Sequence, residues 1–252
     1  MKTLLTISVL SLSFNAFSFG VSTGSAIYSN FKTKKTGESS LINVVFGGIN
    51  HQIGEYSLGL NTSATKNLND QYSSYELGNV AISATHSINL ENVLTFNSSY
   101  RATIATSDFS RHFQNLYSTV GHSFSLPIKL GEKTSLGISF SNSYSFFKYE
   151  TDVYGNSNIL HQHTINASLG QQLFDWLSAS LSISATKSFT HNNVATDSYG
   201  ISAGLSTQYK KIGVGIGYEK FDQFLDPSGR RANLSLFDID NSMFNISVST
   251  SF

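Results

Sequence analysis

The chain has no cysteine, only two prolines among its 252 residues, and little charge. The missing cysteine excludes disulfide and zinc-thiolate chemistry, and also a lipid anchor attached to a cysteine after signal cleavage. Charged residues make up 13% of the sequence, against about 25% in an average soluble domain. What charge there is balances, Lys+Arg 16 against Asp+Glu 16. No basic block stands out, so nucleic acid is not an expected partner. Beyond the first twenty residues no stretch approaches the ~18 consecutive apolar residues of a transmembrane helix. Intrinsic disorder is excluded from the other side, by 13% aromatic residues.

The place of the missing charge is taken by Ser, Thr, Asn and Gly. At the N-terminus, Lys2 precedes an apolar stretch from Leu4 to Phe14 and then Ala16-Phe17-Ser18. A short apolar segment followed by small residues is the pattern of a secretory signal peptide. Residues 1–18 are therefore read as a signal peptide and 19–252 as one mature domain, with cleavage after Gly20 as the alternative.

The mature chain is written with a period of two. In Leu177-Ser-Ala179-Ser-Leu181-Ser-Ile183-Ser184 every odd residue is apolar and every even one is Ser. Leu136, Ile138 and Phe140 alternate with Gly137, Ser139 and Ser141; Ile212, Val214, Ile216 and Tyr218 alternate with Gly213, Gly215 and Gly217. Each such segment forms a strand with an apolar face and a small, uncharged face. A soluble β-sandwich alternates too, but its solvent face normally carries Lys, Glu, Arg and Asp. Apolar residues toward lipid and small polar residues toward a lumen are what a closed transmembrane barrel needs, because a closed sheet leaves no backbone edge in the bilayer.

Turn chemistry divides the chain into twelve expected strands, at about 19–29, 40–51, 54–65, 74–89, 92–106, 111–126, 134–149, 158–173, 177–189, 197–210, 212–222 and 243–252. Short connections alternate with longer ones, as in barrels with tight periplasmic turns and long outer loops. The fold class is thus all-β: a transmembrane, antiparallel up-and-down barrel with both termini on the periplasmic side. Aromatic girdles are expected from Tyr28, Tyr144, Phe146, Phe147, Tyr149, Tyr199 and Phe221 at the loop ends, and from Phe124, Phe174, Trp176, Tyr209 and Phe252 at the turn ends.

In the last strand Phe244, Ile246, Val248, Thr250 and Phe252 share one face. A final strand ending in Phe, with apolar residues at alternate positions before it, resembles the assembly signal of Gram-negative outer-membrane β-barrel proteins of porin-like build. The resemblance implies an outer-membrane location and, as partners, outer-membrane lipid and the barrel-assembly machinery.

No catalytic constellation is visible. Outer-membrane phospholipase A also resembles a twelve-stranded barrel, but its pattern places His and Ser two residues apart on one strand. Here His122 is followed by Phe124, His86 by Ile88, His112 by Gln114 and His161 by His163. The paired acids of omptin-like proteases are absent as well, Asp70, Asp108, Asp152, Asp197 and His191 being scattered singly. No enzyme activity, cofactor or metal is expected. His161 and His163 share a face but offer two ligands only, and read as interface histidines.

A lumen lined by Ser, Gly, Thr and Asn leaves much of a twelve-stranded barrel open, so the sequence points to a passive pore for small hydrophilic, weakly charged solutes. The alternative is a surface scaffold or adhesin whose lumen a loop closes. Arg101 lies on the polar face with Thr95, Asn97, Ser99 and Thr103, either favouring anions or paired with Glu76 or Glu219. Gly213, Gly215 and Gly217 are expected to line the lumen. Between 222 and 241, Arg230, Arg231, Asp238 and Asp240 form an expected charged outer rim, with an inward plug as the alternative.

Overall fold

The computed structural model describes residues 19–30, 41–70, 72–90, 94–224 and 242–252. The expected signal peptide and the rim residues Arg230, Arg231, Asp238 and Asp240 lie outside the described residues.

Twelve strands close into one antiparallel barrel: β1 (Phe19–Asn30), β2 (Leu41–Ile53), β3 (Tyr56–Asn67), β5 (Val80–Leu90), β6 (Leu94–Ile104), β7 (Leu116–Lys129), β8 (Thr134–Phe147), β9 (Ile159–Phe174), β10 (Leu177–Thr190), β11 (Ala195–Tyr209), β12 (Ile212–Gln223) and β13 (Ser242–Ser251). A thirteenth, β4 (Glu76–Leu77), pairs with Ala64 and Thr65 at the long-loop end of β3. Neighbours in sequence are neighbours in space, and β1 closes the ring by pairing with β13, with Ser22 opposite Ser251 and Met243 opposite Asn30.

The rows of paired residues run obliquely. Ser22, Gly48, Asn61, Ala81, Thr103, Thr119 and Ser145 are consecutive partners around the wall. Ser22 is near the short-turn end of β1, whereas Ser145 is near the long-loop end of β8. A row that climbs in this way means strongly tilted strands, the geometry that closure of a sheet requires.

The inside of a soluble protein is missing. Among the described residues the buried apolar side chains are Ala26, Ala81, Ala105, Tyr199 and Ile201, while Ile183, Ile216 and Ile246 are 52%, 52% and 60% exposed on the outer wall. Turns are tight at one end of the barrel. Gly54 takes a φ of 59° between β2 and β3, where a side chain would be strained, and Lys210 takes 55° between β11 and β12.

The other end is built from longer connections that hydrogen-bond to one another. Asn79 Oδ1 accepts from the backbone N–H groups of Thr106 and Ser107, and its Nδ2 donates to Ser110 Oγ. Asn158 Nδ2 donates to the carbonyls of Gln114 and Tyr149. This region corrects two expected boundaries. Phe109–Phe113 form one turn of π-helix, closed by Gln114 N–H on Phe109 O, so β7 begins at Leu116 and not near 111. The strand expected from 74 begins at Val80, because 72–79 form a rim segment tied down by Asn79 and by the Gly78 carbonyl, which accepts from Thr106 Oγ1.

Candidate functional site: the barrel lumen

Register assigns every strand position to the lumen or the outer wall. Gly213, Gly215 and Gly217 face the lumen with Glu219, opposite Ser249, Ser247, Asn245 and Met243 of β13. They hollow that wall. A recess of about 240 Å³ is lined by Ser202, Gly204, Ser206, Gly215, Gly217 and Glu219 among others. A Cβ at Gly213, Gly215 or Gly217 would come within 2.9, 2.9 and 2.8 Å of the side chains of Ser249, Ser247 and Asn245. These are side-chain atoms at the ends of short rotors, so larger residues here displace neighbours inward and narrow the lumen rather than breaking the sheet.

Most of the remaining lining is a ladder of uncharged hydrogen bonds between strands. Thr85 Oγ1 donates to Ser99 Oγ at 2.9 Å and Ser87 Oγ to Asn97 Oδ1 at 2.8 Å. Asn166 Nδ2 donates to Ser182 Oγ at 2.7 Å, and Gln162 Nε2 to Ser188 Oγ at 3.0 Å. Thr119 and Ser145 bond at 3.0 Å, Thr164 and Thr186 at 2.9 Å. Each pair satisfies part of its own hydrogen-bonding capacity and leaves the rest to water.

Arg101 rises from this wall with small neighbours on both sides. Its row runs Gly59, Ser83, Arg101, Gly121, Ser143. The side chain is exposed, and among the described residues it forms no ion pair. Glu219 instead accepts from Asn245 Nδ2 at 3.2 Å, and Glu76 sits on β4 opposite Thr65 at the long-loop rim. The structure therefore does not bring Arg101 together with either carboxylate.

The lumen is less uniformly polar than the sequence suggests. Ile42, Val44 and Phe46 of β2 face inward, and the Phe46 ring lies over Gly24 of β1, where any Cβ would collide with it. Tyr28 and Phe221, expected in the outer girdle, have the inward parity too; Phe221 covers Gly200. The parity of β1 and β12 relative to their neighbours decides this, and aromatic residues near strand ends do not reveal it. Phe174 and Trp176 do stack at the short-turn end, with ring centroids 5.7 Å apart.

On the outer wall His161 and His163 sit at the long-loop end, their rings 5.2 Å apart, with His161 stacked on Phe189 at 4.5 Å. Among the described residues no group of three or more His, Cys, Asp or Glu comes together. His122 does find a serine, by a route that spacing along one strand misses: Ser98 Oγ of β6 and His122 Nε2 of β7 are 3.0 Å apart on the outward face. Phe244, Ile246, Val248 and Thr250 lie on the outward face of β13, where Ile246 pairs with Ile27 of β1 and Ile216 of β12.

No family model and no curated protein sequence matches the chain. Solved structures do match, over nearly its whole length. An outer-membrane channel from Pseudomonas putida F1 superimposes with a TM-score of 0.62 at 10% identity, covering 94% of this chain and 95% of that one. The NanC porin gives 0.61 at 11% identity, covering 91% and 98%. The KdgM porin gives 0.55 at 6%, covering 92% and 99%. The fold is that of the outer-membrane porins and channels. At these identities the likeness concerns the path of the backbone alone.

Proposed function

We propose that the protein is an outer-membrane pore that passively conducts small hydrophilic, weakly charged solutes. The observation that carries this reading is the lining. A wall of Ser, Thr, Asn and Gly, hydrogen-bonded across strands, presents weak sites that a solute enters and leaves readily, which conduction requires. In this reading the N-terminal segment directs export, the alternating face of β13 serves the assembly machinery, and the tight turns at Gly54 and Lys210 face the periplasm. A barrel kept only as a scaffold has no need of three lumenal glycines in a row of alternate positions.

Conductance of the purified protein in planar bilayers tests this. Discrete single-channel steps are expected, with a slight preference for anions to which Arg101, an exposed lumenal cation, contributes. In Arg101→Ala the reversal potential under a salt gradient moves toward the cation side. Absence of any channel step from correctly folded barrels refutes the pore and leaves the scaffold reading.

A further inference from the structure

Three lumenal side chains of very different chemistry stand at one level of the barrel. Arg101 lies seven residues above Leu94, where β6 leaves the short-turn end, and Glu219 lies seven above Ile212, where β12 leaves it. Phe46 lies seven residues from Ile53, the short-turn end of β2. At ~3.3 Å per residue and ~40° of tilt, each stands about 18 Å above the turns.

Around the ring these residues divide the wall into quarters. β6 and β12 are six strands apart in either direction, so Arg101 and Glu219 occupy opposite walls. β2 is three strands from each, which sets the Phe46 ring, 36% exposed, a quarter-turn from both charges. The remaining quarter, on β9, carries Asn166 at about the same level, bonded to Ser182. Among the described strand residues of lumenal parity, the other charges stand at the ends: Lys129 closes β7 at the short turn, and Glu76 belongs to the long-loop rim.

We infer that this level is a subsite for zwitterions with an apolar body, the chemistry of short peptides with free ends. Opposite charges facing each other across a confined aqueous space set up a transverse field. A simple ion is attracted by one wall and repelled by the other. A zwitterion is attracted by both: its carboxylate accepts from the Arg101 guanidinium, and its ammonium donates to the Glu219 carboxylate. An apolar side chain on the same solute then meets Phe46.

The span fits a dipeptide. Twelve strands give a backbone diameter of about 24 Å, of which two inward side chains leave roughly half. An extended dipeptide covers ~7 Å, and a hydrogen bond of ~2.8 Å at each end accounts for the rest. Asn245 Nδ2 steadies Glu219 at 3.2 Å, while Ser83 and Gly121 leave room around Arg101. Ion pairs in water are weak, so the solute is oriented and released rather than trapped. The inference rests on the pore reading and narrows it to a class of solute.

Single-channel recording with added peptide tests it. Millimolar alanyl-phenylalanine should interrupt the open-channel current, and its N-acetyl and amide forms, each with one charge removed, should do so about tenfold less often. Arg101→Gln and Glu219→Gln should each cause a loss of about the same size, while moving the salt reversal potential in opposite directions. Phe46→Ala should weaken the response to alanyl-phenylalanine severalfold. Exchanging the charges, Arg101→Glu with Glu219→Arg, should recover most of the interruptions, because the peptide needs only to turn around. Heat-modifiable migration on gels verifies that each variant is folded. Absence of channel steps from folded barrels overturns the pore and the subsite together. Channel steps that alanyl-phenylalanine leaves untouched, or that its singly charged forms interrupt equally, overturn the subsite alone. So does a folded charge-exchanged barrel no more responsive than either single variant.

Discussion

Asp152 is a single residue on which the long connection between β8 and β9 depends. Its carboxylate accepts from Asn156 Nδ2 at 3.0 Å and from the backbone N–H groups of Asn156 at 2.8 Å and Tyr154 at 2.9 Å. The Asn156 side chain, with backbone donors of Asn156, Tyr154 and Gly155, holds this carboxyl below its ordinary value. A carboxyl depressed in the folded state gives stability that is present above its unfolded pKa and lost as the pH falls through its folded one. The turn at 152–156 is therefore expected to be ordered at neutral pH and to loosen only below about pH 4. Backbone amide exchange of Tyr154 and Asn156, followed on lowering the pH, should accelerate beyond the intrinsic trend in the parent. In Asp152→Ala it should already be fast at neutral pH.

At the scale of the strand, β12 is the sharpest case. Gly213, Gly215 and Gly217 face the lumen while Val214 and Ile216 face outward. Single cysteines at 213 and 215 should react with a charged, membrane-impermeant thiol reagent, and cysteines at 214 and 216 should resist it. Replacement of Gly215 by Phe should lower conductance by half or more without loss of the folded band, because the ring displaces Ser247 into the lumen.

Strands such as β8, β10, β12 and β13 are readable from sequence because strict alternation of large apolar and small polar residues encodes the two faces directly. The start of β7 is not. Phe109-Ser-Arg-His-Phe113 has the composition of a strand, yet it coils because Asn79, thirty-one residues away, claims the Ser110 hydroxyl and Ser107, just before the turn, claims the Ser110 backbone N–H. The lumenal glycines and Arg101 were readable from parity on their own strands. The company each keeps was not: that Arg101 meets no carboxylate among the described residues, that Phe46 covers Gly24, and that Ser98 meets His122 all follow from register between strands, which turn lengths fix.

For the whole molecule, orientation is the first thing to establish. The Lys210-Lys211 turn belongs to the end with tight connections, and the 148–158 segment to the other. In the proposed orientation, protease added to intact cells should spare Lys210-Lys211 and reach Lys148. Permeabilised cells should show cleavage at both. Cleavage at Lys210-Lys211 in intact cells inverts the topology.

The seam between β1 and β13 joins residues more than two hundred positions apart, Val21 and Phe252 exchanging backbone hydrogen bonds at 3.2 and 2.8 Å. Every other pairing in the ring is between strands close in sequence. Hairpins form early and locally, while a contact of such span waits for the longest loop to close. Until then the chain is a curled ribbon with two raw edges of unsatisfied amides, the form most prone to join another chain in place of itself. The order of events in folding is thus written into the topology: eleven pairings are local, and the twelfth decides between a monomeric cylinder and an aggregate. A covalent tie across 22 and 251 should therefore speed refolding far more than one of equal strength between any two hairpin neighbours.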